Sequence, residues 1–218
     1  MPRTVSNADV ERPGTRDRLM EAAGALFGRY GYAATGVKAV LAAADAPYGS
    51  LYHFFPGGKQ ELGVAVVERG ADLYRELVEA LYPPGADVVA ATAAAFADAA
   101  VLLEETDFAD ACPIATIALE VASSDEPMRQ AAAAGFASWL AVLEERFTAA
   151  GMTPERAADA AVELFCLLEG AFLLVRTSRS AEPLRTVGRA ATARVAEALA
   201  ASRKERRRHP SGRATTAG

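Results

Sequence analysis

The chain has two histidines, His53 and His209, and neither sits in a Ser/His/Asp or Cys/His arrangement; no metal-ligand spacing or phosphate-binding glycine loop accompanies them. Catalysis is therefore not expected, and neither a metal nor a cofactor is called for. The residues that stand out suit recognition instead. Tyr48, Gly49, Ser50, Tyr52 and His53 crowd one short stretch that is aromatic, hydroxyl-bearing and free of carboxylates, which suits a DNA groove better than a catalytic pocket. A second set is apolar and aromatic: Phe96, Ile117, Trp139, Leu143, Phe165 and Phe172 are candidates for binding a small ligand. Glu120 and Glu169 interrupt apolar helical surface there. A carboxylate in that setting must be hydrogen-bonded, paired or turned to a cavity, where it would orient a cationic or hydroxyl-bearing ligand. The plainer alternatives stay open: aromatic residues at helical spacing build cores, and both glutamates can simply face water.

The elements that must hold these residues are helical. Alanine is abundant, β-branched runs are scarce and no alternating strand pattern occurs, so the expected fold class is all-α. A first helix runs from Thr15 to about Tyr30, with Leu19, Ala22, Ala23, Leu26, Phe27 and Tyr30 as its apolar stripe and Gly31 at its end. Thr35 is placed to cap a second helix whose stripe is Val37, Val40, Leu41 and Ala44. Asp45 and Ala46 make a tight turn, and Pro47 suits the first turn of a third helix that buries Leu51 and Phe55. Past Gly57 and Gly58, a long helix is expected from Lys59 to Tyr82, carrying Leu62, Ala65, Val66, Leu73, Leu77 and Leu81 inward. It begins in a three-helix head and ends in a body, as a lever would.

Further helices are expected at about Asp87 to Glu105, Pro113 to Ala122, Glu126 to Ala150, Pro154 to Ser178 and Glu182 to Arg203, with proline at or near each break. The helix from Pro154 is apolar around its whole circumference. Such a helix must be covered on all sides, so one face should line the body and another should meet a second subunit; a central helix of a monomer is the alternative.

Charge is segregated along the chain. Residues 1 to 60 carry seven Lys/Arg against five Asp/Glu, residues 61 to 202 ten against twenty-two, and residues 203 to 218 six against one. A mildly basic head on an acidic body fits DNA binding through one end only. Cys112 and Cys166 read as reduced thiols acting as small apolar side chains, with a disulfide or redox role left open. No stretch resembles a secretory leader or a membrane span, so a cytoplasmic protein with no membrane partner is expected. The domain organisation expected is a flexible arm (1–14), with Arg3 and Arg12 near DNA phosphates or merely disordered, a helix-turn-helix domain (15–58), a helical effector-binding and dimerisation domain (59–202) and a disordered basic tail (203–218).

The segment from Arg16 to Leu62 resembles the helix-turn-helix domain of the TetR family of bacterial transcriptional regulators, through LFGRYGYAATGV, GSLYHFF and Lys59. Pro56, Gly57 and Gly58 before that lysine, and the later CPIATIALE, resemble the LmrA/YxaF-like subgroup. The resemblance implies that Tyr48, Gly49, Ser50, Tyr52 and His53 lie in or beside the major groove, that Lys59 anchors a phosphate, and that Thr35 and Lys38 anchor the neighbouring strand. It also implies a homodimer joined through a four-helix interface, and a small lipophilic or aromatic effector of drug-like or plant-phenolic type. Where many relatives have Lys or Arg the chain has Tyr48, and where they have His or Tyr it has Phe54. The expected function is a ligand-responsive repressor released from a palindromic double-stranded operator. A same-fold regulator without an effector, and an all-α binding or catalytic module, are the rivals.

Overall fold

The computed structural model describes residues 13–108 and 112–208, and every regular element among them is a helix. Arg3, Arg12 and His209, with most of the expected arm and the end of the tail, lie outside the described residues. The order is α1 (Thr15–Tyr30), α2 (Val37–Ala43), α3 (Ser50–Phe54), α4 (Lys59–Leu81), α5 (Val88–Glu105), α6 (Pro113–Val121), α7 (Glu126–Ala150), α8 (Pro154–Ser178) and α9 (Glu182–Arg208).

Local chemistry fixes most of these boundaries. Asp87 accepts hydrogen bonds from the Val89 and Ala90 N–H groups and Asp125 from that of Met128, which starts α5 and α7. Proline occupies the first turn of α6, α7 and α8. Gly151, in the left-handed region, closes α7.

Two buried clusters organise the molecule. The first joins Leu19, Phe27, Val40, Leu51 and Phe55 of the head to Leu62 and Val67 of α4, Ile114 and Ile117 of α6, and Met128 and Trp139 of α7. The second packs Tyr82, Phe96, Leu103, Leu143, Phe147, Leu164, Val175, Leu184 and Val195 from α5, α7, α8, α9 and the end of α4. Apolar packing therefore runs continuously from the head into α4, α6 and α7. α4 and α7 pack tightly at Gly135, where an added Cβ would come within 2.7 Å of the Ala71 Cβ. Nearby, the Trp139 indole N–H donates to the Ala71 carbonyl at 2.8 Å.

Four expectations about the elements need correction. Pro47 lies in the turn before α3, its carbonyl accepting from the Ser50 N–H at 2.9 Å, so the third helix is only five residues long. Tyr30 and Leu73, each 56% exposed, and Leu77, 49% exposed, are not turned inward, because the elements that cover α1 and α4 leave those sides bare. Cys166 is exposed and belongs to no core, whereas Cys112 is buried. Finally, α9 continues to Arg208, through residues expected in a disordered tail. The Ser202 hydroxyl holds this end by accepting from the Thr153 N–H and donating to the Ala198 carbonyl, and Glu205 pairs with Arg156.

Candidate functional site

Arg18 of α1 builds the turn of the helix-turn-helix. Its guanidinium donates to the carbonyls of Ala44 at 3.0 Å, Pro13 at 2.9 Å and Asp45 at 3.3 Å, and Asp45 adopts the positive φ of 47° expected at this turn. With the turn fixed, α3 buries Leu51, Phe55 is buried just past its end, and the helix presents its other side outward. Tyr48 is 63% exposed and Tyr52 52%; Gly49, His53 and Lys38 are exposed and Ser50 half-buried. The His53 ring meets Phe54 edge-on at 4.7 Å, which limits its orientation. The result is a short surface of hydroxyls, an imidazole and a lysine suited to base edges and phosphates.

Lys59 opens α4. Its ammonium lies 4.2 Å from the centre of the Tyr32 ring and 3.5 Å from the Ala33 carbonyl; desolvation lowers its pKa while the nearby Glu120 carboxylate opposes that shift. The two glycines before it have separate tasks. The Gly57 N–H donates to Glu61 at 2.7 Å, and Gly58 takes φ 69° where an added Cβ would stand 3.3 Å from the Tyr52 ring.

Thr35 is elsewhere than expected. It is 4% exposed, and its hydroxyl donates to the Gly31 carbonyl at 2.7 Å, satisfying the end of α1; Gly36, without a side chain, occupies the cap of α2. The hydroxyl is consumed inside the head and is not offered to a phosphate.

In the body, α4, α5, α7 and α8 surround a cavity of about 220 Å³ that reaches Cys112 at the start of α6 and opens past Leu77, Asp98 and Leu102. Phe96, Trp139, Leu143, Phe165, Glu169 and Phe172 all line it. Trp139 is its aromatic hub, stacked on Tyr74 at 5.4 Å and edge-on to Phe165 at 5.7 Å. Two hollows of about 640 and 350 Å³ are surface grooves with charged side chains in their walls, such as Arg146 and Arg203 in the first and Arg176 in the second.

Ile117 and Glu120 do not reach the cavity. They are three residues apart on one face of α6, and that face packs on the head: Ile117 is buried in the first cluster, while Glu120 accepts from the Tyr32 N–H at 2.7 Å and the Ala33 N–H at 2.6 Å. Reasoning from sequence missed the α4 side of the cavity, formed by Tyr74, Leu77, Val78, Leu81 and Tyr82. The signal was present, since positions 74, 78 and 82 repeat at i, i+4 and i+8. Cys112 was also missed; its sulfur accepts from the Ala115 N–H at 3.4 Å, and its thiol hydrogen-bonds to Glu169. Burial pushes the Glu169 carboxyl up to about 7, against the opposing effect of that bond, and burial likewise pushes the Cys112 thiol up.

No cluster of three or more His, Cys, Asp or Glu side chains able to hold a metal ion occurs among the described residues, and no helix there is long and apolar enough to cross a membrane. Family comparison places the head and body separately. Residues 19–66 match the model of bacterial regulatory proteins of the tetR family, and residues 88–190 match that of the transcriptional regulator LmrA/YxaF-like C-terminal domain. The HTH-type transcriptional regulator LmrA of Bacillus subtilis (strain 168) is 28% identical over 78% of this chain and 90% of its own length. An HTH-type transcriptional regulator of Mycobacterium tuberculosis (strain ATCC 25618 / H37Rv) is 34% identical over 81% of this chain and 91% of its own. Among solved structures, regulatory protein TetR from Rhodobacter sphaeroides superposes with a TM-score of 0.73 over 83% of this chain and 98% of that one, at 21% identity, which speaks to the fold alone. These relatives are regulators and not enzymes. An exposed recognition helix on a head of this build, matched over both halves of the chain, places the protein in the TetR family of DNA-binding transcriptional regulators, with an LmrA/YxaF-like C-terminal domain.

Proposed function

We propose that the protein is a repressor that binds a palindromic operator as a homodimer and leaves it when a small lipophilic molecule enters the body. The observation that carries this reading is that α4 belongs to both sites: its first residue, Lys59, sits against the head, and its last two turns wall the cavity. A ligand packed against Tyr74, Val78 and Leu81 therefore touches the helix on which the head is mounted. For release, the ligand must prefer a conformation whose heads are wrongly spaced for successive major grooves, since equal affinity for both states shifts nothing.

The dimer reading is supported by α8. Val162, Cys166, Gly170 and Leu173 fall on one exposed seam; Leu173 is 65% exposed and an added Cβ on Gly170 would meet nothing within 4 Å. An isologous interface covers such a seam with its own copy.

On DNA, Tyr48, Gly49, Ser50, Tyr52 and His53 face the groove while Lys38 and Lys59 hold phosphates. Selection from a random duplex pool should enrich one inverted repeat, and Tyr52→Ala and Lys59→Ala should each lose operator binding while keeping the helical circular dichroism of the parent. Lys38→Ala should weaken binding to every sequence alike and lower the salt slope by about 1. Thr35→Val should leave that slope untouched and instead cost about 1 kcal/mol of stability in urea titrations, because its hydroxyl serves Gly31. A ligand that fills the cavity without changing operator affinity would overturn the reading.

A further inference from the structure

The cavity is chemically one-sided. Tyr74, Tyr82, Phe96, Trp139, Phe165 and Phe172 bring aromatic rings to its wall, and none of its lining residues is Lys, Arg or His. Two donors in the wall are already committed: the Tyr82 hydroxyl donates to Thr92 at 3.1 Å and the Trp139 indole N–H to Ala71 at 2.8 Å. What the wall offers a ligand is ring faces, which attract cations, and carboxyl oxygens.

Two carboxyl groups are present. Asp98 is exposed on α5, whereas Glu169 is half-buried on α8 and hydrogen-bonded to the Cys112 thiol. Among the described residues no Lys or Arg forms an ion pair with Glu169. The nearest basic residue along α8, Arg176, shares with Glu169 and Cys112 the surface groove against α6 but forms no ion pair with that carboxyl. Burial accordingly holds the Glu169 carboxyl up at about 7. A carboxylate kept from water without a cation is a poor neighbour for an anion, and gains most from a ligand that brings a positive charge.

Size narrows the class. A cavity of about 150 Å³ holds benzene, so 220 Å³ leaves room for roughly nine non-hydrogen atoms, one ring and a short arm. Resting on the effector reading above, we propose that the cavity takes a compact lipophilic cation, a single aromatic ring with a short alkylammonium arm. Its nitrogen pairs with the Glu169 carboxylate beside Cys112, and its ring packs among Phe96, Trp139 and Phe165.

Trp139 is the only tryptophan in the chain and lines the cavity, so its fluorescence follows a ligand packed against it. The test titrates the full-length protein at about pH 8 with three probes of similar size: 2-phenylethylamine, 2-phenylethanol and phenylacetate. The amine should bind about tenfold more tightly than the alcohol, and the phenylacetate more weakly than either. Glu169→Gln should bring the amine to within about threefold of the alcohol without weakening the alcohol, while Asp98→Asn should keep the amine preference. An amine preference that survives Glu169→Gln, or that is lost in Asp98→Asn instead, overturns the assignment. Alcohol binding with no amine preference also overturns it but leaves the effector reading standing. No response to any probe removes the assignment together with the cavity as an effector site.

Discussion

Glu169→Gln should raise the thermal midpoint at about pH 8 by roughly 6–12 °C and leave it nearly unchanged at about pH 4. Burial holds the Glu169 carboxyl at about 7, against an ordinary 4.5. The folded chain thus keeps this proton more tightly than the unfolded chain does. The stability associated with it is fully present below 4.5 and is lost as pH rises through about 7. The difference corresponds to on the order of 3 kcal/mol at alkaline pH, which glutamine, neutral throughout, does not forfeit. The groups facing Glu169 do not blur the comparison. Burial holds the Cys112 thiol protonated across this window, as it does the Tyr82 phenol, pushed up to about 12. Asp98 on α5, Tyr74 on α4 and Arg176 on α8 are common to both proteins. Calorimetry across this pH range checks the claim: parallel curves for the two proteins would mean that the carboxyl is not desolvated in the folded state. The same experiment separates stability from recognition, because the substitution that stabilises the fold is the one expected to abolish the preference for an amine.

Much of this was legible in the sequence wherever a local rule acts alone. Asp87 and Asp125 cap, prolines open and Gly151 closes without help from distant residues, so the body helices could be read from spacing. Phe96, Trp139, Leu143, Phe165 and Phe172 were ligand-binding candidates as apolar or aromatic residues, and Glu169 as a carboxylate interrupting apolar helical surface, with core packing or water as the alternative. Which apolar face meets which neighbour is a tertiary matter, and there the reading went astray. Ile117 and Glu120 sit on the same kind of surface, yet α6 is rotated so that this face meets the head. Thr35 has the right identity for a cap, but the Gly31 carbonyl at the end of α1 captures its hydroxyl first. The α9 extension was hidden for a similar reason. A run of Arg and Lys reads as a solvated tail, and only the tertiary partners of Ser202 and Glu205 reveal that it stays helical.

The misplaced Glu120 leads to the second large effect: Glu120→Ala should leave ligand affinity within about twofold but remove most of the ligand's influence on operator binding. α6 is a rod of nine residues with a site at each end. At its start, Cys112 caps the helix and its thiol meets Glu169 in the cavity. Near its end, the two Glu120 oxygens hold the Tyr32 and Ala33 N–H groups, in the link between α1 and α2, at 2.7 and 2.6 Å. Short charge-assisted bonds of this kind fix distance and direction, so a shift of α6 is passed to the backbone of the head. Alanine hands both N–H groups to water at this exposed position, costing about 1 kcal/mol, which leaves the head folded and still able to bind DNA. Glutamine, with one carbonyl oxygen in place of two, should fall between. Coupling in such systems is typically worth about 1–3 kcal/mol, or roughly 5- to 150-fold in affinity. In Glu120→Ala, operator anisotropy with and without the amine probe should differ by less than about threefold, while Trp139 fluorescence still titrates normally. Full coupling in that variant would assign the transmission to α4 and α7, which also run from the cavity to the cluster that holds the head.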